Sequence, residues 1–170
     1  TIWEDFNSIK DNNYNLYSAY KKGFGIILSY YEKILSTIKF YNLMISNTFG
    51  ENDLRLKITT VLKNNHKKNK LTVIASKNLI MNLLNVNDIS TAINLIIKKN
   101  VKPGKYLLKN NKDFKIKEII EEFNKNNIKK LRIKWRSNKI IREKIYPYSK
   151  LKGWKPKQSG ILDIVNAISL

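Results

Sequence analysis

The sequence has no cysteine, one histidine, three prolines, six glycines and four arginines. Without cysteine there are no disulfides and no thiolate metal sites. The lone histidine, His66, sits in the polar stretch KNNHKKNK, read as a surface loop; it cannot build a metal centre alone, so no metal is expected. No apolar run approaches the roughly 20 residues that a helix needs to cross a bilayer, and nothing resembles a cleavable signal. A soluble chain with no membrane partner is therefore expected, cytoplasmic by default.

What the sequence does have is lysine. Lys and Arg total 33 against 13 Asp and Glu, a formal charge of +20 on 170 residues. Such an excess is the usual electrostatic footprint of nucleic-acid binding, and a basic nucleic-acid-binding domain is the alternative reading. From Lys129 to Lys157 there are twelve basic residues and one acid, Glu143, interleaved with Trp135, Tyr146, Tyr148 and Trp154. Two features argue against that partner. The lysines accompany abundant asparagine and isoleucine, as a compositional drift would leave them, while arginine, preferred for bidentate phosphate recognition, is scarce. The aromatics also form no regular stacking platform.

A chain of this length fits one medium domain that buries roughly 70% of its unfolded surface. Apolar spacing predicts a helix over 15–35, through Leu16, Tyr20, Phe24, Ile27, Leu28, Tyr31, Ile34 and Leu35. Gly23 and Gly25 each cost such a helix about 1 kcal/mol against alanine, which suggests close packing on that face. A buried strand follows at 38–46, a helix at 54–64 and strands at 71–75 and 81–86. Asp88 is placed to cap a helix carrying Ile89, Ala92, Ile93, Ile96 and Ile97. A strand at 105–109, a helix at 114–125 with Ile116, Ile119, Ile120 and Phe123 inward, a strand at 130–135 and a helix at 160–169 complete the order. Alternating helices and strands indicate an α/β domain with a mainly parallel sheet.

Tyr17 precedes Lys21 by four residues, one helical turn, so both would lie on one helix face. A nearby ammonium stabilises phenolate and draws tyrosine from its ordinary value near ~10 towards use as a general acid or base. Composition alone also produces this spacing: Tyr146 and Lys150 repeat it around Pro147, where no helix can continue. The bland reading is a solvated lysine beside a core tyrosine.

The order of the remaining motifs favours the chemical reading. After Tyr17-Ser18-Ala19-Tyr20-Lys21 come a buried strand, Asn47-Thr48-Phe49-Gly50, then Val86-Asn87-Asp88 opening a helix, then Gly153-Trp154-Lys155-Pro156. This series resembles the C-terminal part of the extended short-chain dehydrogenase/reductase family, the NAD-dependent epimerases and dehydratases of nucleotide sugars. The opening Thr1-Ile2-Trp3-Glu4, the series Asp53, Arg55, Lys57, and Arg142-Glu143 look closest to its CDP-abequose and CDP-paratose synthases, which reduce a 4-keto sugar nucleotide. The resemblance implies Tyr17, Lys21 and Thr1 as catalytic residues: Tyr17 as proton donor or acceptor, Lys21 on the nicotinamide ribose, Thr1 on the reacting oxygen. It implies Asn47, Arg55 and Arg142 as contacts to the nucleotide sugar, NAD or NADP as cofactor, and a homodimer through the 15–35 helix.

Three departures accompany the likeness. Met81 and Asn82 stand where arginine and aspartate are usual. No G-x-x-G-x-x-G phosphate loop is present, and the resemblance places it ahead of Thr1. The expectation is thus a C-terminal portion of a Rossmann-like doubly wound sheet (1–49 and 87–109) with a small α/β substrate-binding lobe (50–86 and 110–170), inactive by itself. A further alternative is a catalytically dead interaction module of the same fold.

Overall fold

A computed structural model describes residues 16–142 and 149–169, with side chains throughout except those of Tyr17, Ser18 and Lys22. Helix α1 (Leu16–Ile34) leads into β1 (Tyr41–Ile45), which pairs in parallel with β6 (Gly104–Leu108) from Tyr41 opposite Gly104 to Ile45 opposite Leu108. Immediately beyond, β2 (Asn47–Phe49) pairs in parallel with β5 (Leu83–Asn85). Two further parallel pairs follow, β3 (Thr72–Ile74) with β8 (Ile133–Trp135), and β4 (Leu79–Met81) with β9 (Ile141–Arg142). Among the described strands only β7 (Phe114–Lys115) runs antiparallel, against β4. The α/β class with mainly parallel pairing is borne out.

Helices α2 (Ile58–Lys67), α4 (Ile116–Asn126) and α5 (Ile161–Ser169) share one core with Phe49, Leu62, Ile74, Leu83, Phe114 and Leu131. Helix α4 shows why: Ile116, Ile119, Ile120 and Phe123 recur at i, i+3, i+4 and i+7 and are all buried. Burying each such side chain contributes about 1.5–3 kcal/mol. Helix α3 (Val86–Lys98) brings Ala92 and Ile96 to a second cluster with Leu84, Leu108 and Leu151. Because successive strand residues face opposite ways, Leu83 of β5 enters the first cluster and Leu84 the second.

The two clusters are joined by a buried polar network. The Asp88 carboxylate accepts the backbone N–H of Lys157 (2.8 Å), that of Gln158 (3.0 Å) and the hydroxyl of Ser159 (2.5 Å). The Ser159 hydroxyl in turn accepts the Asn85 N–H at 2.9 Å, and the Ser159 carbonyl accepts a hydrogen bond from Asn110 Nδ2. Asn110 and Asn82 exchange bonds, Asn110 N to Asn82 Oδ1 at 2.8 Å and Asn82 Nδ2 to Asn110 O at 3.0 Å.

Several expectations are corrected. Asn85, not Asp88, caps α3, its Oδ1 accepting Asn87 N at 2.9 Å. Asp88 is drawn away because loop amides claim its carboxylate. The 81–86 strand divides into β4 and β5 around Asn82, which spends its side chain on Asn110, Lys112 and Asp113. Helix α2 begins at Ile58, leaving Leu54 and Leu56 exposed, because Asp53 Oδ1 accepts Arg55 N and holds a local turn that competes with helix. His66 lies within α2 instead of a loop, edge-on to Phe123 at 4.9 Å with its Nε2 3.1 Å from the Lys129 carbonyl.

The largest difference concerns α1. Tyr20, Phe24, Ile27, Tyr31 and Ile34 all stay exposed, and a Cβ at Gly23 or Gly25 would meet nothing within 4 Å. The close packing inferred from those glycines is therefore absent among the described residues. Strand β1 is half-buried along its length and has a partner on one side only among them. No described helix is long and apolar enough to cross a membrane.

Removing the Asp88 carboxylate would strand several buried donors at once. Asp88→Ala is expected to cost about 3 kcal/mol in urea unfolding, and Asp88→Asn, which keeps an acceptor, clearly less. An unshifted midpoint for Asp88→Ala would show that the network does not hold the clusters together.

Candidate functional site

Parallel strands present ligands at their carboxyl ends, and the described residues of interest gather where β1 passes into β2. Ser46 N bonds Leu108 O at 3.0 Å, completing the β1–β6 ladder before the chain swings to β5. Asn47 and Thr48 are half-buried at this junction. Phe49 is fully buried and anchors the turn from below. Gly50 is required there by contact: a Cβ would come within 2.7 Å of Val86 Cγ2 at the start of α3. The Ser46 hydroxyl is buried without a hydrogen-bond partner among the described residues, a signal that the sequence could not supply.

Arg55 closes over this end. Its Nε donates to Asp53 Oδ1 at 2.7 Å and its Nη2 to Asp53 Oδ2 at 2.6 Å, a bidentate pair, while Nη2 also reaches Thr48 Oγ1 at 2.8 Å. The guanidinium is thereby fixed in orientation, with Nη1 making no hydrogen bond among the described residues. The Arg55 hydrogen bond holds the Asp53 carboxyl below its ordinary value, and the same bond raises Arg55. A fixed cation beside a hydroxyl at a strand end can receive an anionic group, a phosphate or carboxylate.

The other expected residues are more scattered. Arg142 is exposed on β9, with Nη1 3.9 Å from Asp113 Oδ2, and Asp113 also accepts from Asn82 at 2.8 Å. No described hydrogen bond or ion pair joins Arg142 to Arg55. Asn82 is thus structural in this chain, and Met81 is half-buried opposite Phe114. Tyr17 and Lys21 lie one turn apart near the start of α1, Lys21 exposed; the Tyr17 side chain and the whole of Thr1 lie outside the described residues. No group of three or more His, Asp or Glu among the described residues could hold a metal. A cavity of about 430 Å³ lies between β1 and α3, lined by Lys39, Tyr41, Leu43, Ile93, Ile96 and Ile97. It opens at the amino half of β1, the wrong end for a parallel-sheet ligand site.

No protein-family model matches the sequence, and a search of curated proteins finds no similar one. Solved structures do match in fold. UDP-glucose 4-epimerase from Bifidobacterium longum, in complex with NAD+ and UDP, superposes on 94% of this chain with a TM-score of 0.72 and 14% identity, covering 55% of its own length. The dTDP-glucose 4,6-dehydratase of Bacillus anthracis str. Ames, in complex with NAD, matches 91% of the chain and 52% of its own at 0.65 and 19% identity. RMD from Pseudomonas aeruginosa, complexed with NADPH, matches 89% and 54% at 0.67 and 16%. The chain has the fold of part of these enzymes and spans about half their length.

The Asp53–Arg55 pair predicts a pH response. Asp53 is held low, so the bond persists at neutrality and is lost only as pH falls through a value below the ordinary carboxylate range of about 4. Arg55→Gln should return the Asp53 titration, followed by carboxyl NMR, to that range. An unmoved titration would show that Arg55 does not set it.

Proposed function

We propose that this chain is the C-terminal part of an NAD(P)-dependent nucleotide-sugar enzyme: an epimerase, dehydratase or, following the sequence likeness, a 4-keto sugar-nucleotide reductase. The observation that carries the reading is the superposition on such enzymes over nine-tenths of the chain. In this reading residues 1–49 and 87–109 belong to the cofactor domain and 50–86 with 110–170 to the substrate lobe. The two buried clusters follow that partition only in part, since Phe49 packs with the first cluster and Leu84, Leu151 and Trp154 with the second.

The chain's own residues suit only one end of the cofactor. Lys21 would hold the nicotinamide ribose, but no glycine-rich loop is available for the pyrophosphate. Bound NAD or NADP supplies hydride chemistry. Tyr17 would exchange a proton with the sugar oxygen, Thr1 would hold that oxygen by a hydrogen bond, and Arg55 and Arg142 would face the diphosphate. The one-sided β1 strand supports an incomplete sheet: a parallel strand reading Tyr-Asn-Leu-Met-Ile is normally covered on both sides. The exposed apolar side of α1 is consistent with a homodimer through that helix.

Expressed with the coding sequence ahead of Thr1, the longer polypeptide should turn over a nucleotide sugar with NAD(P), whereas the 170-residue chain alone should not. In the active form, Tyr17→Phe should lower kcat by about 10²–10⁴ with circular dichroism unchanged. Full turnover in that variant would remove Tyr17 from the mechanism.

A further inference from the structure

We propose that the outer edge of β8, with the basic face beside it, is a docking site for an extended acidic segment of a partner protein, added as a strand. Strand β8 pairs with β3 in the register Thr72–Ile133, Val73–Lys134, Ile74–Trp135. Thr72 N donates to Arg132 O at 2.7 Å and Arg136 N to Ile74 O at 2.9 Å. By the alternation of a parallel ladder, residues 132, 134 and 136 spend their backbone groups on β3, and the N–H and C=O of Ile133 and Trp135 point to the other edge. No described strand occupies that edge.

The side chains divide the other way. Ile133 and Trp135 turn inward against the core, so Arg132, Lys134 and Arg136 stand together on the outer face. Half-exposed Leu71 and Val73 of the neighbouring β3 segment line the same face. Arg132 keeps one bond, Nη1 to Asn69 O at 3.1 Å; Lys134 and Arg136 make no side-chain bond among the described residues. The ribbon is also free of acid. No Asp or Glu occurs from Leu54 to Asn87 or from Phe123 to Arg142, in a chain holding 13 of them. Three of the four arginines fall between 132 and 142. A drift towards lysine explains neither the absence of acids nor the concentration of guanidinium groups here.

An open strand edge flanked by alternate cations is complementary to a strand with carboxylates at alternate positions. Main-chain bonds would supply register, and charges opposite Arg132, Lys134 and Arg136 would supply selection. A nucleic acid fits less well, because it gains from exposed aromatic faces on which bases stack and Trp135 is turned inward.

The test is fluorescence anisotropy of the 170-residue chain with a labelled peptide of alternating glutamate and threonine. Saturable binding is expected. It should weaken about tenfold or more in Arg132→Glu/Arg136→Glu, both exposed positions, and by as much when alternate peptide amides are N-methylated. Thermal unfolding of the variant, run alongside, verifies its fold; should it unfold, Lys134→Glu alone replaces it with the same expectation. The proposal is overturned by absence of binding, by indifference to charge reversal or N-methylation, or by equally tight binding of oligo-dT or phosphatidylserine vesicles.

Discussion

A carboxylate taken out of water is costly unless hydrogen bonds replace its hydration, and Asp88, 2% exposed, meets that condition with donors from a loop about seventy residues later. This constraint organises the rest. It ties the first turn of α3 to the segment 157–159, which leads into α5, and α5 closes the larger core against α2 and α4. Trp154 strengthens the same tie by donating Nε1–H to the Asp88 carbonyl at 3.1 Å. The candidate site inherits its rigidity from this arrangement, because Val86 of α3 presses on Gly50 and Leu83 and Leu84 hold β5 beside β2.

The segments with a strong local period were readable in the sequence. Helix α4 is legible with its four inward residues, α5 and β6 to within two residues, and α3 by its buried Ala92 and Ile96 but not by its start, because amphipathic spacing reflects burial directly. What could not be read depended on distant partners or brief local bonds. Strand β2 is three residues long, too short for a pattern. The start of α2 is displaced by a side-chain bond between Asp53 and Arg55, and Asp88 lost its expected capping role to residues far along the chain. Asn47 and Arg55 do come to one strand end, whereas Arg142 lies on β9, a separation that no linear spacing reveals.

Helix α1 presents the opposite case. Its apolar period is genuine, yet the surface it predicts remains uncovered among the described residues. Hydrophobic spacing reports that a face is built to be covered; it does not say by what. Together with the half-buried β1, this face marks where the described fold is open, and the solved structures of like fold are about twice as long.

The position of α5 in the chain bears on how the protein is made. Leu62 of α2 and Phe123 of α4 bury against Ile164 and Ile168, about a hundred residues after α2 begins. At the usual pace of about 5–20 residues per second, the ribosome leaves the apolar face of α2 waiting roughly 5–20 s for its cover. During synthesis this core is an exposed oily surface, and the nascent chain should depend on chaperones until residues 161–169 emerge.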